Sequence, residues 1–362
     1  MAENSFTYNL DEILSSTLLA YRTKSGKFYD NIFKANPTFY ALHEKGRRDT
    51  IDGGERIIVP LQYAKNSTVT RYHRYSPINI TPQDNETSAY YQWKQMGDSI
   101  VIDGLSLRQN SGKHQLINLL KHKTTDAEMS LAEEINADLW RCTPLTDGIL
   151  SIPSIVVPKP SSVDGSTPGN IDGTSKSYWR NKTSGQMTSA ITTWKIMKIK
   201  MNNMYNTCSK GAAKNGCGGF PDLIITNQES FEYYDNYMDE KSRYISPMGQ
   251  KAVSIGFQNF TFKNADMFWD EHVPDAYGSA DDGTGYDWDN SSATYGSMYF
   301  LNSQFLYYYV DKVVDLQITP FEKGTSHGQD ARVALILHMH QLACSNRSKH
   351  GIIYGISKSL TA

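Results

Sequence analysis

Charge is scarce in this chain. Lys, Arg, Asp and Glu make up 20% of its 362 residues and sum to a net charge of −2. Without a global positive field, the surface as a whole is excluded as a nucleic-acid binder, and only local basic patches stay open. Cysteine is also sparse: Cys142, Cys208, Cys217 and Cys344. None forms a C-x-x-C pair, and Cys208 and Cys217 are spaced too widely for a zinc knuckle. Reduced structural thiols, and synthesis in a cytoplasm, are expected. No run approaches the roughly 18 apolar residues of a membrane span. The N-terminus MAENSFTYNLDEILSS lacks the basic and apolar regions of a secretory signal. The G-x-S-x-G, H-E-x-x-H, Walker and G-x-G-x-x-G patterns are all missing. Gly216-Cys217-Gly218-Gly219 has no following Lys and Ser/Thr, so it reads as a tight turn and not a phosphate loop.

Aromatic residues are abundant, with 23 tyrosines. Tyrosine buries a ring while keeping a wet hydroxyl, which suits interfaces, and it also populates strands. The last third is dense in aromatic and β-branched residues, as strands require. Ala331 to Ala343 is apolar at Val333, Leu335 and Leu337 and again at Ala334, Ile336 and Leu342. That pattern predicts a strand buried on both faces. It ends at the polar turn Ser345-Asn346-Arg347-Ser348 and returns through Ile352-Ile353-Tyr354.

Residues 1–50 read as an arm. Leu10, Ile13, Leu14 and Leu18 have helical spacing, and Phe28, Ile32, Phe33 and Phe39 follow. So short an apolar segment cannot form its own core and should lie on something else. Glu55 to Tyr63 opens a β excursion that Ser99-Ile100-Val101-Ile102 closes, with a polar middle containing Lys65 and Arg71-Tyr72-His73-Arg74-Tyr75. This predicts an extended hairpin over 51–104, marginal alone and in need of partners. Between 105 and 142, Leu116, Leu120, Ala127, Leu131, Ile135 and Leu139 follow helical spacing. The segment is one long helix, or two with a break near Thr124, where Thr125-x-x-Glu128 would form a capping box. Residues 151–185, rich in Pro, Gly, Ser and Asp, read as an insertion of loop chemistry and not core. A helix is predicted near 189–204, a strand over Pro221 to Asn227, a helix holding Phe231, Tyr234 and Met238, and a strand at Phe260-Thr261-Phe262.

Three side-chain groups carry possible chemistry. Asp275, Asp281, Asp282, Asp287 and Asp289 alternate with glycines. Clustered carboxylates suit calcium, but the spacing is not that of an EF-hand, and a solvated loop is expected. His338-x-His340 puts two rings on one strand face, as zinc sites do, with no third ligand to be placed; ordinary strand histidines are expected. Lys113, His114, Lys121, His122 and Lys123, Arg71 and Arg74, and Arg347, Lys349 and His350 form small basic groups. These predict solvated faces, or contacts to phosphates without sequence reading.

The order of these pieces resembles the major capsid proteins of tailed bacteriophages, the Hong Kong 97-type fold. Gly53-Gly54-Glu55-Arg56-Ile57-Ile58-Val59-Pro60-Leu61 looks like the start of that family's extended E-loop. Residues 105–142 look like its spine helix, and Pro221 to Thr226 like a strand of the axial lobe. Met298-Tyr299-Phe300-Leu301-Asn302 leads into peripheral-lobe strands, and Gln329 to Arg347 with His350-Gly351 looks like the closing strands. The resemblance implies an α+β fold with an arm over 1–50, an E-loop over 51–104, a spine helix over 105–142, an axial lobe over 143–309 with an insertion at 151–185, and peripheral strands over 310–362. It implies a structural subunit, not an enzyme, that needs no cofactor or membrane. Pentamers and hexamers would form an icosahedral shell around double-stranded DNA, in a virion assembled in a bacterial cytoplasm. Scaffolding, portal and decoration proteins would be partners. Lys65, Arg71, Arg74, Tyr75, Phe28 and Phe33 would touch neighbouring subunits. Some members crosslink an E-loop Lys to an Asn of the next subunit; Lys65 and Asn346 are the matching types here, but no Glu stands beside Asn346.

Two other readings compete. A nanocompartment shell would use the same fold to enclose enzyme cargo. A metal-dependent enzyme using the acidic loop 275–289 would be a stable monomer or dimer, inactivated by Asp281→Ala and Asp282→Ala.

Overall fold

The computed structural model describes residues 36–45, 47–109, 119–161, 167–184, 191–210, 219–241, 260–274, 295–323 and 330–361. The chain divides into two compact units. The larger takes in Ala35–Met96, Glu134–Asp315 and His338–Ala362; the smaller includes Gly97–Glu133 and Leu316–Leu337.

Helix α1 (Pro37–Glu44), strand β1 (Arg48–Ile51) and the paired strands β2 (Arg56–Gln62) and β3 (Glu86–Gln92) come first. Strand β4 (Lys94–Asp103), the short helix α2 (Gly104–Gln109) and the long helix α3 (Leu119–Trp140) follow. Next are the turn α4 (Ile152–Ile155), strands β5 (Lys182–Ser184) and β6 (Ile191–Thr193), helix α5 (Trp194–Ser209), strand β7 (Leu223–Thr226) and helix α6 (Gln228–Lys241). Strands β8 (Phe260–Phe262), β9 (Ala265–Trp269), β10 (Tyr295–Leu301), β11 (Leu306–Asp311), β12 (Gln317–Ile318), β13 (Glu322–Lys323), β14 (Ala331–Cys344) and β15 (Gly351–Thr361) complete the chain.

The larger unit is organised by a mixed sheet ordered β5-β15-β10-β7-β9-β8, with β6 also on β15. All four residues of β7 are buried, as befits a central strand that is apolar at nearly every position. Helix α5 covers this sheet with Met197, Met201, Met204 and Cys208, a stripe at helical spacing. The approach is so close that a Cβ on Gly351 would run into Met204 Sδ and Cys208 Sγ, forcing those side chains to shift. Phe231 and Tyr234 of α6 join the same core beside Met298, Phe300 and Ile353. Each such buried side chain contributes about 1.5–3 kcal/mol relative to exposure.

A polar hub fixes the helices of this unit. Asp270, buried after β9, accepts from Thr38 Oγ1 (2.5 Å), Asn136 Nδ2 (3.1 Å) and the His272 amide (3.0 Å). Trp140 Nε1 donates to Thr38 Oγ1 at 3.0 Å. These bonds join α1, the end of α3 and β9, and each satisfies a group that would be costly to bury alone.

In the smaller unit, β12 and β13 pair antiparallel with the first half of β14, setting Ile318 opposite Ile336 and Glu322 opposite Val333. Strand β4 also pairs with β14. Ala127 and Leu131 of α3 are buried.

The structure departs from the sequence reading at several places. Strand β14 is buried on both faces only in its second half. Leu335 and Leu337 are 42% and 37% exposed, while every residue from His340 to Cys344 is buried. The excursion from Glu55 does not return at Ser99–Ile102: β2 pairs with β3, and Ser99–Ile102 belongs to β4. Helix α3 runs unbroken through Thr124, so Thr125 lies inside the helix and not at its N-terminus. The predicted helix near 189–204 is displaced to α5. The 151–185 segment, read as loop chemistry, also supplies core: Ile152, Ile155, Val156 and Trp179 are buried. Proline there starts a capped helical turn, since Ser151 Oγ accepts from the Ser154 amide.

Candidate assembly site

The hairpin of β2 and β3 is a candidate site because its two ends have opposite surroundings. At the base, Ile57 and Val59 alternate with outward Arg56 and Ile58, and Ala89 and Tyr91 face inward from β3. These four side chains pack with Trp179 and Ala343. Trp179 is held by a 2.8 Å bond from Nε1 to the Pro168 carbonyl. Gly169 (φ +71°) lets this turn press onto the hairpin, since a Cβ there would sit 2.7 Å from Ala89 Cβ. Tyr91 Oη donates to the Cys344 carbonyl at 2.7 Å and accepts from the Cys344 amide at 3.2 Å. Burial pushes the Tyr91 phenol well above its ordinary pKa, so it stays a neutral donor.

Beyond Gln62 the chain runs out as a tip that returns at Glu86. Tyr63 donates from its amide to the Asn85 carbonyl (3.1 Å) and from its hydroxyl to the Asp84 carbonyl (2.7 Å). Asn66 and Asn79 each cap a local turn, accepting from Thr68 and Thr81. Among the described residues, the apolar side chains of the tip are left uncovered. Val69 is 83% exposed, Tyr75 94% and Ile80 90%, with Tyr72 and Ile78 also exposed. Lys65, Arg71 and Arg74 are exposed beside them, and no carboxylate occurs between Tyr63 and Asp84. Exposed apolar side chains beside cations, carried beyond the end of a two-stranded ribbon, make the tip a candidate contact surface.

Of the residues expected at subunit contacts, the structure thus brings Lys65, Arg71, Arg74 and Tyr75 together on the tip; Phe28 and Phe33 lie outside the described residues. So do the acidic loop 275–289, Lys113, His114 and Gly216 to Gly218. Among the described residues, no three His, Cys, Asp or Glu side chains are arranged to hold a metal, and no helix is long and apolar enough to cross a membrane. His338 and His340 share one face, as expected, and are buried against Tyr308, whose Oη lies 2.9 Å from His338 Nε2. Burial lowers their pKa values to about 4 and about 3, so both rings are neutral at pH 7.

Arg347, Lys349 and His350 are not a surface patch: all three are fully buried. Arg347 Nε donates to the Ile155 carbonyl at 2.6 Å, and Lys349 Nζ to the Lys210 carbonyl at 3.0 Å, at the end of α5. Backbone carbonyls, not solvent, satisfy these charges. Asn346, the residue type matched to a crosslink, uses Oδ1 to accept from the Ser348 amide (3.1 Å) and hydroxyl (2.7 Å).

No protein-family model and no curated protein sequence matches the chain. Solved structures do. A capsid protein of Cyanophage A-1(L) is 15% identical, with a TM-score of 0.61, covering 91% of this chain and 95% of that one. The capsid of Cyanophage P-SCSP1u is 11% identical, with a TM-score of 0.55 over 92% and 91%. The capsid of an empty GTA particle is 6% identical, with a TM-score of 0.57 over 91% and 94%. At such low identity the likeness speaks to fold alone. Across about nine-tenths of its length, this chain has the α+β fold of tailed-phage capsid proteins.

Proposed function

We propose that the chain is a major capsid subunit, a structural protein that self-assembles into the pentamers and hexamers of an icosahedral shell around double-stranded DNA. The observation that carries this is the hairpin tip: exposed apolar and cationic side chains on an arm whose base is anchored. In this reading the hairpin is the E-loop, α3 the spine helix, and the tip residues Lys65, Arg71, Arg74 and Tyr75 lie on the next subunit. Phe28 and Phe33 of the N-terminal arm do the same. The near-neutral net charge suits a shell that must contain DNA without gripping it. Its place is the virion, assembled in a bacterial cytoplasm with scaffolding, portal and decoration proteins. The test is negative-stain electron microscopy after size-exclusion chromatography at low and high salt. Closed shells, tubes or rings are expected; a monomer under every condition, with no ring or sheet on concentration, would count against a self-assembling shell.

A further inference from the structure

A groove of about 870 Å³ runs along the hairpin base in the larger unit. Its walls include two stacked tyrosine pairs, Tyr63 with Tyr178 (5.3 Å between ring centres) and Tyr307 with Tyr309 (5.8 Å). Arg47 and Lys182 also line it, and no carboxylate does. Arg47 Nε is buried without an acceptor, and neither cation forms an ion pair among the described residues. Lys182 also stands near a second cation, Lys349, whose pKa is lowered by burial and by the Lys182 charge. The groove therefore carries unbalanced positive charge between aromatic walls.

The same chain contains the opposite chemistry. No Lys or Arg occurs between Lys263 and Lys312. Within that stretch, Asp275–Asp289 holds five aspartates together with Tyr277, Tyr286 and Trp288. In Tyr286-Asp287-Trp288-Asp289 the acids and rings alternate, so an extended strand would turn both carboxylates one way and both rings the other. Resting on the capsid reading above, we infer that this groove seats the acidic segment 275–289 of a second copy of the chain. Asp287 and Asp289 pair with Arg47 and Lys182, and Tyr286 and Trp288 lie on the tyrosine walls. Arg47 offers a carboxylate a planar, multiply bonded partner, and ring-on-ring contacts add to the burial. The acidic loop is then neither a calcium site nor idle surface but a subunit contact.

The test mixes ¹⁴N- and ¹⁵N-labelled full-length protein, allows assembly, and applies a carbodiimide, which joins amines only to carboxylates in direct contact. Mass spectrometry should find Lys182 linked to Asp287 or Asp289 in mixed light–heavy pairs within particles. The link should be lost with Lys182→Gln, and with Asp287→Asn/Asp289→Asn, a change outside the groove that leaves its fold intact. Particles in which Lys182 is unlinked, linked elsewhere, or linked only within one copy overturn the inference while leaving the capsid reading in place. A short single-stranded oligonucleotide that abolishes the link without dissolving the particles would assign the groove to nucleic acid, and overturn it too. Failure of the unlabelled protein to assemble removes the capsid reading, and the inference with it.

Discussion

The two ends of the hairpin are built from similar residues and meet opposite fates. At the base, Ile57, Val59, Ala89 and Tyr91 are buried by Trp179 and Ala343. At the tip, Val69, Ile78 and Ile80 with Tyr72 and Tyr75 are as apolar, yet lie open to solvent. The ladder of paired strands ends at Gln62 and Glu86, so the base is paired and the tip is not. Cover separates them as well. Among the described residues, a tryptophan, a glycine turn and a strand end cover the base, and none covers the tip. The comparison teaches that, on the proposed reading, the base is a folding element and the tip an association element, and that sequence hydrophobicity alone does not distinguish the two.

Mutations can break this comparison in order of size. Trp179→Ala removes the cover of the base and should cost about 3–5 kcal/mol in urea unfolding, as for other buried tryptophans. Tyr91→Phe leaves the Cys344 amide and carbonyl without their partner, and should cost about 1–3 kcal/mol by the same measurement. Acid should act on the buried histidines of β14. His338 and His340 have folded pKa values of about 4 and about 3, below the unfolded value of about 6.5. The unfolded chain therefore binds protons first, and the stability these rings contribute, complete above about pH 6.5, is lost as pH falls toward 3. His340→Asn should flatten the fall of unfolding midpoint between pH 6.5 and 4. The smallest effect on folding belongs to the tip: Val69→Ser/Tyr75→Ser/Ile80→Ser should shift stability by no more than about 0.5 kcal/mol while abolishing particle formation in sedimentation velocity.

Much of the fold is legible in the sequence where one physical signal dominates. The stripe Ala127, Leu131, Ile135 and Leu139 marks α3, and the apolar run Leu223 to Ile225 marks a central strand. The hairpin's outgoing strand is legible for the same reason. Its return is not, because Glu86-Thr87-Ser88-Ala89-Tyr90-Tyr91-Gln92 buries only Ala89 and Tyr91, whereas Ser99 to Ile102 is more apolar. Strand β14 reads as apolar on both faces, but its composition does not record that cover exists for only half its length. Arg347 and Lys349 look like surface charges because their acceptors, the carbonyls of Ile155 and Lys210, lie more than a hundred residues away. Tip residues Lys65, Arg71, Arg74 and Tyr75 are picked out by composition, whereas the groove is assembled from separate segments around Arg47, Tyr63, Tyr178, Lys182 and Tyr307, which no local pattern announces.

The central claim is that the tip assembles the protein without helping it to fold. Its most direct test is sedimentation velocity on the wild-type chain and on a chain with residues 66–82 replaced by a short Gly-Ser turn, each checked for an unchanged unfolding midpoint. The account predicts large closed particles for the wild type, and a folded but unassembled subunit or isolated capsomer for the variant. A tip-replaced chain that forms the same particles, or one that no longer folds, would contradict it.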